Sequence, residues 1–314
     1  MEFVDSDRLQ YMVHYSFGDH GGMIGGKDKI PQAFIKPANL TNQEFIDFVP
    51  KQGQVITLFI DTLRLYYRPI EYNDWEHLMP ASVSDKKWME SFKDQDLLKL
   101  CAHFPAKKFI IFTALEDVPI DDTIQVPDNV LAIYAGAGVY MSDKVHPWPY
   151  GLTRMMRNRY NSQVELRRVM GLHINPTKLL YVNHTVGNGS RAGINELFQD
   201  KEWATVSPRL NYPQYIAQLA KHAFVLCPSG RGIDSARNCE TLYLQRIPIF
   251  KDHPYLRELY GSFPSLFVKD WSEVTEQYLK DNLHLLGKTA DNESRLDLHQ
   301  MFLDRTGFFY SETP

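Results

Sequence analysis

Cysteine is scarce, with three in 314 residues, which excludes a disulfide framework and suits a reducing compartment. A surplus of positive charge is also missing. Lys and Arg number 34 against 38 Asp and Glu, leaving a formal net charge of −4, so nucleic-acid binding is not the expected main function. No apolar run approaches the ~18 residues that a membrane span needs, and mean hydropathy is −0.35. The first residues, MEFVDSDRLQ, are acidic and mixed, unlike a signal or transit peptide. HExxH and CxxC patterns are absent, and Cys227 and Cys239 lack partner spacing, so no metal is expected. The Asp5–Asp7 pair precedes the first apolar run and reads as a solvated terminus. Sequons at Asn183 and Asn188 carry no weight without a secretory signal. No period of 20 to 50 residues repeats, which disfavours solenoids and propellers.

What is present is globular in character, 44% hydrophobic and 23% charged. Apolar runs of strand length recur at Leu9–Phe17, Val55–Ile60, Lys108–Thr113, Val130–Tyr134, Lys178–Val182, Ala223–Cys227, Ile247–Phe250 and Ser265–Val268. They are continuous rather than alternating, as in strands buried on both faces. Helical patterns separate them at Asn42–Phe48, Asp85–His103, Ser162–Met170, Tyr212–His222, Ser235–Gln245 and Ser272–Leu286. Alternating strand and helix predicts an α/β protein with parallel sheets. The length allows two domains. The best boundary lies between Ser142 and Pro176, where two prolines and a glycine in His146–Leu152 argue against regular structure. The basic stretch Arg154–Arg168 that follows reads as a solvated helix between domains. The expected division is a unit over 1–150, a second over 151–285, and a segment over 286–314 that packs back towards the first.

Two glycine-rich segments fail as nucleotide motifs. Gly21–Asp28 approaches a P-loop, but Asp28 stands where a hydroxyl is needed and Pro31 interrupts the helix that should follow. A loop that closes over a ligand fits it better. Tyr134–Met141 has Gly136 and Gly138, but Met141 replaces the third small residue of a dinucleotide fingerprint and no helix follows.

The most informative stretch is Leu219–Phe250. A buried strand ends at Cys227, Pro228–Gly232 makes a sharp turn, and Ser235 stands as the N-cap of a helix. Backbone N–H groups at such a turn and helix start favour an anion. Arg237 in the first turn offers a fork suited to phosphate oxygens. Glu240, three residues on, shares its face and would suit two vicinal hydroxyls, as on a ribose. Spacing alone leaves a simple intrahelical ion pair equally open.

This stretch resembles the C-terminal portion of exostosin-type glycosyltransferases. The resemblance rests on Cys227, Pro228 and Gly230, then Ser235, Arg237 and Glu240, then Ile247-Pro248-Ile249, over about 25 residues. It extends more loosely from Val145 to Lys280, and the first 140 residues match by architecture only. One departure is Gln245-Arg246, where family members often carry small residues. The resemblance implies two Rossmann-like domains facing a central crevice (the GT-B fold). It also implies an inverting, metal-independent transferase moving sugar from a nucleotide-diphosphate sugar, a UDP-sugar first, to a glycan or glycoprotein hydroxyl. The donor-binding residues it points to are Asn183, Arg191, Arg209, Ser229, Gly230, Arg231, Ser235, Arg237 and Glu240. A base on the acceptor side is also implied. Asp19 is the first choice, with His20, Asp61 and Glu116 as other strand-end candidates. No cofactor is expected, the donor being a substrate, and the expected location is cytoplasmic, in a microbe or a virus. Two alternatives stay open: an epimerase or hydrolase of sugar nucleotides on the same fold, and a non-catalytic sugar-binding protein. Tyr150 and Trp148 are candidates for stacking on a sugar or base face.

Overall fold

A computed structural model describes residues 9, 12–13, 15–16, 42–60, 65, 96–113, 120–136, 140–152, 162–184, 191–230 and 232–307. The chain divides after Tyr150 into two compact units. Each holds one five-stranded, wholly parallel sheet with helices between its strands.

The strands of the first unit are β1 (Tyr15–Ser16), β2 (Val55–Ile60), β3 (Lys108–Thr113), β4 (Val130–Ala135) and β5 (Val145–Pro147). They lie side by side in chain order. Helix α1 (Asn42–Phe48) precedes β2 and α2 (Leu97–Ala102) precedes β3. Asp96 caps α2 by accepting from the Lys99 amide. Asn129 closes its other end, donating to the carbonyls of Cys101 and Phe104 at 2.8 and 3.0 Å. One sheet face packs Ile56, Leu58, Ile60, Phe109, Ile111 and Ile133 with Phe45 of α1 and Leu97, Leu98 and Cys101 of α2. Phe59, Phe112, Tyr134 and Trp148 are buried as well. Burial on both faces is the physical basis of the unbroken apolar runs.

Two sequence expectations change here. Leu9 and Met12 are helical, and the strand expected over Leu9–Phe17 is confined to Tyr15–Ser16 among the described residues. Leu9 and Val13, four apart, are both buried, which is helical spacing; a short apolar run does not by itself distinguish the two states. The segment expected to lack regular structure contains β5. It pairs on one side only, with Ile133, Tyr134 and Ala135 of β4, and an edge strand tolerates Pro147. Trp148 follows and is fully buried, its ring 5.0 Å from Phe112 and 6.1 Å from Tyr134. It is therefore a core residue, with no face open to a sugar, while Tyr150 is half-buried.

The second unit begins with α3 (Ser162–Met170) and continues as β6 (Lys178–Val182), α4 (Ile194–Phe198), β7 (Ala204–Val206), α5 (Tyr212–Leu219) and β8 (His222–Leu226). Then come α6 (Ala236–Tyr243), β9 (Ile247–Lys251), α7 (Pro254–Tyr260), β10 (Leu266–Val268), α8 (Glu276–Asp281), α9 (Asn292–Arg295) and α10 (Leu298–Thr306). The helix expected over Ser272–Leu286 is broken: single-turn 3₁₀ segments at Trp271–Glu273 and Leu283–Lys288 flank α8. Asp270 caps the first break, accepting from Ser272 while Glu273 accepts from the Asp270 amide. The last segment packs within its own unit. Tyr243 donates to the Leu296 carbonyl at 2.8 Å, and Arg295 donates to Ser262 and lies 4.2 Å from the Phe263 ring.

The sheet order is β10-β9-β8-β6-β7. From β6 the chain steps outward to β7, returns past β6 to β8, and continues to β9 and β10. This reversal is a topological switch point between β6 and β8, beyond whose carboxyl ends ligands bind in open parallel sheets. The described first sheet, strictly sequential, has no reversal. In the second, Leu180, Val182, Phe224 and Leu226 pack with Ile194 and Phe198 of α4. Tyr181, between them in β6, turns to Tyr215 of α5, ring centroids 6.2 Å apart, so both faces are covered.

Arg246, in the turn from α6 to β9, is buried. Its Nε and Nη2 donate to the Ala220 carbonyl at 2.9 and 2.7 Å, Nη1 donates to the Gln245 carbonyl at 3.1 Å, and Nη2 also bonds the Ile174 carbonyl. Gln245 before it has φ +57, the left-handed conformation that aims the chain back into the sheet. The turn where family members carry small residues is thus the site of a buried clamp on the end of α5.

His222 opens β8 and is fully buried. Burial, with the charges of Lys178, Lys221 and Arg246, outweighs the hydrogen bond to the Gln218 carbonyl and lowers its pKa from 6.5 to about 4. The unfolded chain therefore holds more protons than the folded one between those values. Stability is expected to fall as pH drops from 6.5 to 4, by about 1.4 kcal/mol per pH unit from this residue. It should be flat in this respect above 6.5. Urea unfolding of the wild type and of His222→Gln across that range checks this: the variant should show a shallower slope.

Candidate functional site

The carboxyl ends of β6 and β8 bring together residues far apart in sequence. From β6 come Asn183 and His184, and from the segment ahead of α4 comes Arg191. From β8 come Cys227, Pro228, Ser229 and Gly230, and from α6 Arg237 and Glu240. Arg191 crosses from one strand end to the other, Nε donating to the Ser229 carbonyl at 2.7 Å and Nη2 to the Pro228 carbonyl at 3.4 Å. The Gly230 amide donates to the Gly232 carbonyl at 2.9 Å, closing the turn. A Cβ on Gly230 would come within 3.1 Å of Arg191 Nη2, so glycine here gives the guanidinium its room.

Arg237 is half-buried and its Nε, fully enclosed, has no partner among the described residues. Its guanidinium lies 5.9 Å from the Tyr215 ring centroid. The Tyr215 hydroxyl donates to Glu240 Oε2 at 2.9 Å, and Glu240 is buried. Tyr215 is thereby wedged between the two residues whose spacing suggested an ion pair or a phosphate and ribose site. Burial lowers the Arg237 pKa, but Tyr215, Cys227 and Glu240 raise it by more and keep it firmly charged. Burial and the charge of Arg237 lower Arg191 from 12.5 to about 10, which still leaves it protonated at neutral pH. Burial raises the Cys227 thiol to about 12, so it is no nucleophile at neutral pH.

Asp234 anchors the start of α6. It is buried and accepts from the Ser235 amide at 2.8 Å, from Asn238 Nδ2, and from the Tyr260 hydroxyl at 2.8 and 3.0 Å. Tyr260 ends α7, so this carboxylate ties α6 to α7. Ser235 occupies the N-cap position, but its hydroxyl donates to Asn238 Oδ1 at 3.3 Å and not to a backbone group.

His184 is buried, 9% exposed, and neither ring nitrogen has a hydrogen-bond partner. Burial first, then Arg237 and Arg191, lowers its pKa from 6.5 to about 4, so it is neutral at physiological pH.

Of the residues expected from sequence to hold a donor, Arg191, Ser229, Gly230, Arg237 and Glu240 belong to this one cluster, with Ser235 at the helix start. Asn183 is beside them, its Nδ2 donating to the carbonyls of Ser207 and Pro208 at 3.3 and 2.8 Å, which ties the ends of β6 and β7. Arg209 is exposed on the loop between β7 and α5. Arg231, Asp19, His20, Asp61, Glu116 and the Gly21–Asp28 loop lie outside the described residues. His184, Tyr215 and Asp234 were not singled out from sequence. His184 adjoins Asn183 at a predicted strand end, a signal that could have found it, and Asp234 precedes the expected cap. Tyr215 meets Glu240 across 25 residues, which no local pattern encodes.

Parallel α/β architecture with arginines at a switch point defines the class: an α/β protein with a cationic site at the strand ends of its second unit. Compared with known families and curated proteins, the chain matches no family model and no individual relative. Among the described residues no helix is long and apolar enough to cross a membrane, and no three His, Cys, Asp or Glu side chains cluster as metal ligands.

Proposed function

We propose that the protein is a glycosyltransferase that uses a nucleotide-diphosphate sugar, with the diphosphate bound at the β6/β8 switch point. The observation that carries this reading is the pairing of Arg191 and Arg237 on opposite sides of one glycine turn, at the start of α6. Two like charges brought close in a half-buried place are unfavourable on their own. A diphosphate offsets that repulsion, and the α6 N-terminus adds its dipole. In transfer, the negative charge that grows on the departing diphosphate would meet donors already oriented, which is where such groups lower a barrier most. The Glu240–Tyr215 pair would face the ribose hydroxyls of the nucleotide.

In the two-domain arrangement that the exostosin resemblance implies, the first unit supplies the acceptor side and the base, with Asp19 as the candidate. The reaction would invert the anomeric centre and need no metal. A UDP-sugar is the first donor to try.

A thermal-shift screen with UDP, GDP, ADP and their sugars tests this. Binding at 100 times the dissociation constant adds about 2.7 kcal/mol of apparent stability. A rise in melting temperature with one nucleotide family is expected, and no rise with any of them defeats the proposal.

A further inference from the structure

His184 does nothing for the fold that its environment explains. It is 9% exposed, both ring nitrogens are enclosed without partners, and the charges of Arg191 and Arg237 bear on it. A buried polar atom without a partner is costly, and a phenylalanine or leucine would fill the space without that cost. Arg237 Nε, enclosed and unpartnered, is a second such atom in the same cluster. Donor groups left unmade around one point at a switch point are what an absent anion would satisfy. The carbonyls of Pro228 and Ser229, which an anion would avoid, are already covered by Arg191.

We propose that His184 completes an oxyanion pocket with Arg191 and Arg237 that takes a doubly charged tetrahedral group, and that its imidazole takes up a proton as that group binds. The inference rests on the reading of this site as a diphosphate pocket and adds to it a proton-coupled ligand. An imidazole between two guanidinium groups resists a proton while the pocket is empty. A dianion reverses the local field and gives the second N–H an acceptor. The charged groups acting on His184 are Arg191 and Arg237; Glu240, the nearest carboxylate along α6, is engaged by Tyr215. Binding and proton uptake are then linked, so the affinity for a dianion of constant charge rises as pH falls, by up to tenfold per pH unit while the free imidazole is neutral and the bound one charged.

Sulfate is the probe, because its charge is constant across the range and any pH dependence comes from the protein. Labelled histidine ring signals are followed by NMR from pH 7.5 to 5, in sulfate and in chloride of equal ionic strength. His184→Gln identifies the His184 signal by its loss. The expected result is a His184 midpoint at least one pH unit higher in sulfate, and a sulfate affinity several-fold tighter per pH unit between 6.5 and 5 that is much flatter in His184→Gln. An unmoved midpoint, or an equal pH dependence in the variant, overturns the inference; the wild-type titration alone suffices if the variant does not fold. The two readings fail separately. Proton-coupled sulfate binding with no nucleotide response leaves the anion pocket and removes the transferase. A UDP response with an unmoved His184 leaves the transferase reading and removes the role of His184.

Discussion

Replacing Arg237 with alanine is expected to lower kcat/KM for sugar transfer, or for slow donor hydrolysis by water, by about 10²- to 10³-fold, the range seen when one preorganised donor to a developing anion is removed. Arg237 has the geometry for so large an effect. It sits in the first turn of α6, is held over Tyr215, and keeps an enclosed Nε free of any described partner. Its charge is shielded from water, so its field on a bound phosphate is little screened. Arg237→Lys separates charge from shape. Lysine keeps the charge but loses the planar fork, and an intermediate loss is expected. An alanine variant with unchanged kcat/KM would mean that the diphosphate binds elsewhere. Both variants should keep their fold, because Tyr215 still donates to Glu240.

Arg246→Met is expected to be the most damaging to stability among the substitutions considered, by about 4 kcal/mol, from leaving buried carbonyls unpaired at about 1–3 kcal/mol each. Arg246 serves the carbonyls of Ala220, Gln245 and Ile174, and methionine fills a similar volume while serving none. Such a loss is a large share of the ~5–15 kcal/mol that holds a domain folded. Lysine at this position keeps one charged donor group and should recover part of the loss. The urea midpoint for the unit after Tyr150 should fall with little change in slope. A midpoint within experimental error of the wild type would show that water serves these carbonyls equally well.

The parallel α/β class was legible because both sheets are covered on both faces. Val55–Ile60, Lys108–Thr113 and Lys178–Val182 stand out as unbroken apolar runs with the same bounds in the structure. The half-buried edge strand Ala204–Val206 and the three-residue Val145–Pro147 did not, since three residues carry too little pattern. Strand order was not legible at all. It depends on which strands pair across 20 to 45 residues, and it is the order that creates the switch point. The candidate site divides in the same way. The glycine turn and Arg237 were visible because strand, turn and helix start are contiguous in sequence. His184, Tyr215 and Asp234 were not, because each draws its meaning from a partner on another element. Arg246 looked like a harmless departure from the family pattern, and only its burial against α5 gives it a role.

The central claim is a location, the strand ends of β6 and β8, and hydrogen exchange with and without saturating UDP tests it most directly. Slower exchange is predicted at the amides of Asn183, His184, Ser229 and Gly230 and in the first turn of α6, with little change in the sheet of the first unit. Protection confined to other segments, or none at those five places while UDP is bound, would contradict the account.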